Sequence, residues 1–197
     1  KWTEVVEKFG LEPGDLDKAW EQLVDTTKYR VAEGVLGGTE DFSKSLAKQL
    51  KVDQSLANGT SIAFLAEFEG KSCLFLGDAH ADAICKSLRR LIPTGQERLK
   101  VDAVKMSHHG SKSNISEDLM KLVDAKHFLV STSGAIHKHP DRTAIEAVLQ
   151  WSVRDPTLWF NYALQQNASW TKVPKDGKRS FTARFPLDKP EGIVIEL

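Results

Sequence analysis

The stretch Thr60-Ser61-Ile62-Ala63-Phe64-Leu65-Ala66-Glu67-Phe68-Glu69-Gly70-Lys71-Ser72-Cys73-Leu74-Phe75-Leu76-Gly77-Asp78 decides how this chain folds. Ile62, Phe64, Ala66 and Phe68 alternate with a mixed second face, the two-residue period of a half-buried strand. Glu69-Gly70 turns the chain into a second apolar run that ends at Leu76. The pair predicts a β-hairpin. Beyond Gly77-Asp78, the residues Ala79, Ala83, Ile84, Leu88, Leu91 and Ile92 fall near one helical stripe, closed by Pro93 and Gly95. A helix is therefore expected after the second strand.

Toward the C-terminus the alternation continues. Val101 to Met106 reads as a short strand running into Ser107-His108-His109-Gly110-Ser111. Ser116 can cap a helix whose first turn carries Glu117 and Asp118. Lys126 to Ser131 is the next strand, followed by Thr132-Ser133-Gly134, His137, His139 and Pro140. Thr143 and Glu146 have capping-box spacing at the start of a further helix with Ile145, Val148 and Leu149. β-like runs at Thr157 to Tyr162, Phe181 to Phe185 and Ile193 to Leu197 close the chain. Strands alternating with helices define the α/β class. Residues 1–57 differ: they are charged and broken by Gly10, Pro13-Gly14, Gly34 and Gly37-Gly38. Apolar sets such as Trp2, Val5, Val6 and Phe9 recur there at helical spacing. A helical segment or insertion is expected over 1–57, with the α/β body over 58–197.

A chain of 197 residues with 41% hydrophobic content can bury a real core. Lys+Arg and Asp+Glu balance at 27 each, so the overall field is not that of a strongly basic nucleic-acid binder. A local basic cleft remains compatible with this balance. The longest apolar runs are far too short to span a bilayer, so no membrane association is expected. The chain begins at Lys1 with no signal-peptide pattern, and further sequence upstream is expected. Cys73 and Cys85 lack a CxxC spacing and read as reduced thiols of a cytoplasmic protein.

All six histidines lie between His80 and His139, and His80, His108, His109 and His139 sit just beyond predicted strand ends. Sites in α/β layers form there, because the strand fixes the backbone while the loop frees the side chain. Asp78 follows the apolar Phe75-Leu76-Gly77, which places a carboxylate at the rim of the core. It reads either as a metal ligand or as the cap of the following helix. His108-His109-Gly110-Ser111 combines neutral imidazoles, common metal ligands, with a glycine that lets backbone approach a metal or phosphate. The rival is an ordinary turn with one histidine bonded to backbone. Lys105 and Lys112 flank the histidines and are read as phosphate contacts or as solvated lysines. His80 is read as a solvated residue of the first helical turn and His127 as structural, with His137 left open.

In order, the chain reads Asn58-x-Thr60-Ser61-Ile62, then Phe75-Leu76-Gly77-Asp78, then His108-His109-Gly110-Ser111-x-Ser113-Asn114, then Ser131-x-x-Gly134 and His139-Pro140. This series resembles the latter half of the ComEC-like DNA-uptake hydrolases of the metallo-β-lactamase superfamily. The resemblance runs from Asn58 to about Trp151 and implies the C-terminal half of an αββα sandwich holding two divalent metal ions, zinc or manganese. By it, Asp78 matches the metal-bridging carboxylate, and with that a catalytic residue. His108 matches the last metal-ligating histidine, with His109 as the alternative. His139 matches a catalytic rim histidine facing substrate or leaving group. Ser111 and Ser133 match positions near the substrate oxygens, with Lys112 beside them.

The family's HxHxDH string, which supplies most ligands of the first metal, occurs nowhere in the chain. The expectation is half of a site, completed by an N-terminal half of the same domain. That half, or a second copy of the chain, is the expected protein partner. The function expected of the whole is metal-dependent hydrolysis of a phosphodiester, in a nucleic acid or nucleotide. The rivals are hydrolysis of a lactone, thioester or β-lactam, and a catalytically inactive interaction module on the same scaffold. For the chain alone, weak metal binding and no hydrolysis are expected.

Overall fold

Residues 64–75 form a strand pair with a two-residue turn, as the alternation predicts. Strand β1 (Phe64–Phe68) pairs antiparallel with β2 (Lys71–Phe75), Phe64 facing Phe75 and Phe68 facing Lys71. Both turn residues, Glu69 and Gly70, have positive φ (47° and 76°), as the tightest hairpin turns require. In the computed structural model of the chain, the residues described are Leu50, 52–163, Asn167, Trp170, 180–186 and 192–197. Most of the helical segment expected over 1–57 thus lies outside the described residues, and 52–57 form loop and turn rather than helix.

Three strand–helix–strand steps follow. Helix α1 (Ala81–Leu91) links β2 to β4 (Ala103–Lys105), after the short β3 (Leu99–Lys100). Helix α2 (Glu117–Leu122) and the short β5 (Val123–Asp124) lead to β6 (His127–Val130), and α3 (Arg142–Trp151) leads to β7 (Thr157–Phe160). With β8 (Thr182–Arg184), the sheet order is β1-β2-β4-β6-β7-β8, parallel except for β1 against β2. β3 and β5 form a separate parallel pair. The described residues are mixed α/β, with a mostly parallel sheet and three α-helices.

Each crossover steps to the next strand in the same direction, so right-handed connections place all three helices on one face. Accordingly α1 packs on α2, and α2 on α3. Register aligns Leu74, Val104, Phe128 and Leu158 in one row across the sheet. All four are buried, against helix residues that include Ile84, Leu88, Leu119, Ile145 and Val148. Truncating one of the row to alanine costs about 2–5 kcal/mol. The neighbouring row, Phe64, Phe75, Lys105, Leu129 and Trp159, lies on the opposite face and is covered only in part. Phe64 is 52% exposed there, with its ring stacked on Phe75 at 4.9 Å.

Two predicted details shift. Asp141 occupies the N-cap position of helix α3 without a side-chain capping bond, so Thr143 and Glu146 lie inside the helix rather than forming a capping box. Glu146 instead accepts from Arg142 Nε at 2.6 Å, the neighbour one helical turn away. The run Ile193 to Leu197 is not a strand: β8 already occupies the edge beside β7, and Val194 is exposed. Ser116 does cap α2, its side chain accepting from Leu119 N at 3.1 Å. Among the described residues no helix is long and apolar enough to cross a membrane.

Candidate functional site

The loops that follow β2, β4 and β6 emerge side by side at the C-terminal ends of three adjacent parallel strands, where α/β sheets place their sites. They carry Asp78, the His108-His109 pair and His139, respectively. Main-chain bonds lace them together. His108 N–H donates to Gly77 O at 2.9 Å, and Asp141 N–H donates to Gly110 O at 2.9 Å.

Both glycines are required by these close approaches. At Gly77 (φ +54°) a Cβ would fall 2.6 Å from Ile62 O and from Ser61 Oγ; at Gly110 (φ +87°) it would fall 2.8 Å from Pro140 Cβ. Ser61 Oγ accepts Asp78 N–H at 2.8 Å, so the Asn58-to-Ile62 motif holds the turn that delivers Asp78. Asp78 does not cap α1, whose N-cap is His80, and the capping alternative falls away.

His108 and His109 both sit in the left-handed region, at φ 43° and 57°. Such backbone costs on the order of 1–3 kcal/mol per residue and persists where surrounding contacts over-determine it. The contacts are on hand. His109 Nδ1 lies 2.6 Å from Ser131 O, a carbonyl that can only accept, so that nitrogen carries the proton. His108 Nδ1 lies 3.0 Å from Asn114 Oδ1. The His108 ring stands edge-on to His139 at 5.3 Å and to His109 at 6.3 Å, and His137 follows His139 at 5.9 Å.

Burial, first, then the neighbouring histidines hold His139 below the ordinary histidine range; Asp141, 3.7 Å from its Nδ1, opposes them. Burial and the neighbouring histidines thus favour the neutral ring over the imidazolium. Asp141 is also bound by Lys112 N–H at 2.8 Å. Burial likewise depresses Lys105, which donates to Met106 O at 3.1 Å and feels the charge of Asp78. Of the other sequence candidates, Ser111 is buried, its Oγ accepting from Ser113 N–H, while Ser133 is exposed and Lys112 half-buried.

One central group has no counterpart among the sequence candidates. Asp53, in the loop before β1, accepts from Asn58 Nδ2 and Asn114 Nδ2 at 2.7 Å each and from Ser55 N–H at 2.8 Å. Burial raises its pKa, but these hydrogen bonds and the nearby His80 outweigh it and hold the carboxyl below its ordinary range. His80, expected to be solvated, instead spans to this loop, its Nε2 2.9 Å from Ser55 O. The available signal was the pair of amides quoted in the motifs, Asn58 and Asn114: buried or half-buried, they need an acceptor.

Imidazole and carboxylate at three loop ends are donors that suit a divalent cation. The hydrogen bond between His108 Nδ1 and Asn114 Oδ1 is of the kind that supports histidine ligands in metal sites. In number the set falls short, since among the described residues no group of three or more His, Cys, Asp or Glu side chains is placed to hold a metal ion. No family model, curated protein or solved structure matches the chain.

Proposed function

We propose that this chain supplies the Asp78–His108–His139 part of a metallo-β-lactamase-type hydrolase site that acts on phosphodiester bonds. The observation that supports this most is the convergence of three motif loops at the ends of β2, β4 and β6, with the His108 and His139 rings 5.3 Å apart. In this reading the partly covered sheet face opposite the helices is the inner face of the αββα sandwich. The residues that complete the metal ligand set lie outside the described part of this chain.

Asp78 and His108 would hold the cation, with His109 as the alternative histidine. When bound, a divalent ion supplies charge neutralisation at a phosphoryl oxygen. The chain's own groups do the rest. His139, once protonated, would give a ring proton to the leaving oxygen and end as neutral imidazole, and Ser133 and Lys112 would face the anionic substrate at the rim. Ser111, being buried, shapes the loop instead of meeting substrate.

The test is an assay of the full-length gene product on a generic phosphodiester and on a lactone and thioester panel, each with and without a chelator. Chelator-sensitive phosphodiester turnover is expected. Turnover confined to the carbon-centre substrates transfers the site to that chemistry, and chelator-insensitive turnover or none at all overturns the proposal.

A further inference from the structure

Asn114 is 1% exposed, a buried amide that must place four hydrogen-bonding positions without water. Its Nδ2 faces three acceptors: Asp53 Oδ2 at 2.7 Å, Asp78 O at 3.1 Å and Ala79 O at 3.3 Å. Three acceptors on one atom settle which end of the amide is nitrogen. The other end, Oδ1, therefore faces His108 Nδ1 at 3.0 Å and can only accept. Nδ1 must then carry the ring proton, and Asp53 Oδ2 at 3.7 Å favours the same state. Asn58 Nδ2 also approaches His108 Nδ1, at 3.3 Å, but its shorter bond of 2.7 Å goes to Asp53.

We propose that Asn114 is a positioning residue that holds His108 in the Nδ1–H tautomer, with Asp53 anchoring the Asn114 amide, so that the lone pair resides on Nε2. A histidine without such a partner favours the proton on Nε2, which leaves the wrong nitrogen for a ligand or base at that position. Asn114 joins two site loops through one side chain: it grips the carbonyl of Asp78 and selects the tautomer of His108. This role rests on the reading of His108 as an electron-pair donor in the site.

The experiment is long-range 1H–15N correlation on the histidine-labelled, metal-free chain at neutral pH, with His108 assigned by its loss in His108→Gln. The expected spectrum shows His108 with a proton-bearing Nδ1 and a bare Nε2. His127 is the internal control with the opposite pattern, because Trp159 Nε1–H donates to its Nδ1 at 2.9 Å. Asn114→Leu removes the acceptor and moves the His108 proton to Nε2. Asn114→Asp keeps an oxygen that accepts from His108 and so keeps the Nδ1–H pattern, although it gives up the amide's bonds to Asp53, Asp78 and Ala79. Loss of packing alone does not predict that retention. In the metal-loaded full-length protein, Asn114→Leu weakens metal binding roughly 10- to 100-fold.

A wild-type His108 protonated on Nε2, or an unchanged tautomer in folded Asn114→Leu, overturns the proposal. The wild-type spectrum alone can do so, whether or not leucine at 114 permits folding. The expected tautomer in a protein without metal or turnover overturns the hydrolase reading and leaves the positioning intact. Metal-dependent turnover with the opposite tautomer does the reverse.

Discussion

Ser61 Oγ accepts the main-chain N–H of Asp78 at 2.8 Å, across the hairpin that separates them. The bond explains why a small residue must sit between the second strand and Asp78. A side chain on Gly77 would strike Ser61 Oγ and Ile62 O at 2.6 Å, from a backbone already at φ +54°.

Gly77→Ala is accordingly expected to destabilise the fold by about 2 kcal/mol or more, through the positive φ and the backbone clash together. Ser61→Ala removes only the hydroxyl and costs about 1 kcal/mol. Denaturant unfolding of both variants checks the order. Equal midpoints for Gly77→Ala and wild type would mean that the turn is not held as described.

His139→Ala is expected to lower the turnover of the full-length protein by roughly a hundred- to ten-thousand-fold while its metal content stays constant. Elemental analysis beside the kinetics separates the roles. If metal and activity fall together, His139 is a ligand, and its role has to be exchanged with that of His108.

The main strands and helices from β1 to α3 were legible because period-2 and helical patterns switch cleanly at Gly70, Gly77 and Pro93, whereas the two-residue strands β3 and β5 carry too short a pattern to read. The loop ends carrying Asp78, His108 and His139 were legible for the same reason. Asp53 was not. It sits in a polar stretch without periodicity, and its partner Asn114 lies 61 residues away in sequence. The tautomers were also out of reach, since each depends on a partner brought in from another loop or strand. The start of α3 was misplaced by the Thr143–Glu146 spacing because Asp141, one residue after Pro140, already ends the loop.

Stability is expected to fall as the solution is acidified through the histidine range, with His127 as one cause. Its Nδ1 accepts from Trp159 Nε1–H, and burial, then Lys126, lower its pKa from the ordinary 6.5, against a pull from Asp102. Protons then bind the unfolded chain more readily than the folded one. The resulting stabilisation is present above pH 6.5 and is lost as pH falls from there toward the depressed folded value. Thermal unfolding at several pH values should show a shallower slope for His127→Gln than for wild type; parallel slopes would remove His127 from the effect.

The 197-residue chain alone is expected to bind zinc or manganese weakly and to leave phosphodiesters intact, because fewer than three ligands converge among its described residues. Dialysis against trace metal followed by elemental analysis measures this. A stoichiometric metal pair with turnover would require ligands from residues assigned elsewhere, and His80 and His137 are the first to re-examine.

The central claim, that Asp78 and His108 are metal-holding groups of a hydrolase, is tested most directly by the metal content of the full-length protein in wild type, Asp78→Ala and His108→Ala. Stoichiometric metal in wild type, lost in both variants while circular dichroism shows the fold retained, is the expected result. Wild-type metal content in the folded Asp78→Ala and His108→Ala proteins, or no bound metal in the full-length protein at all, would contradict it.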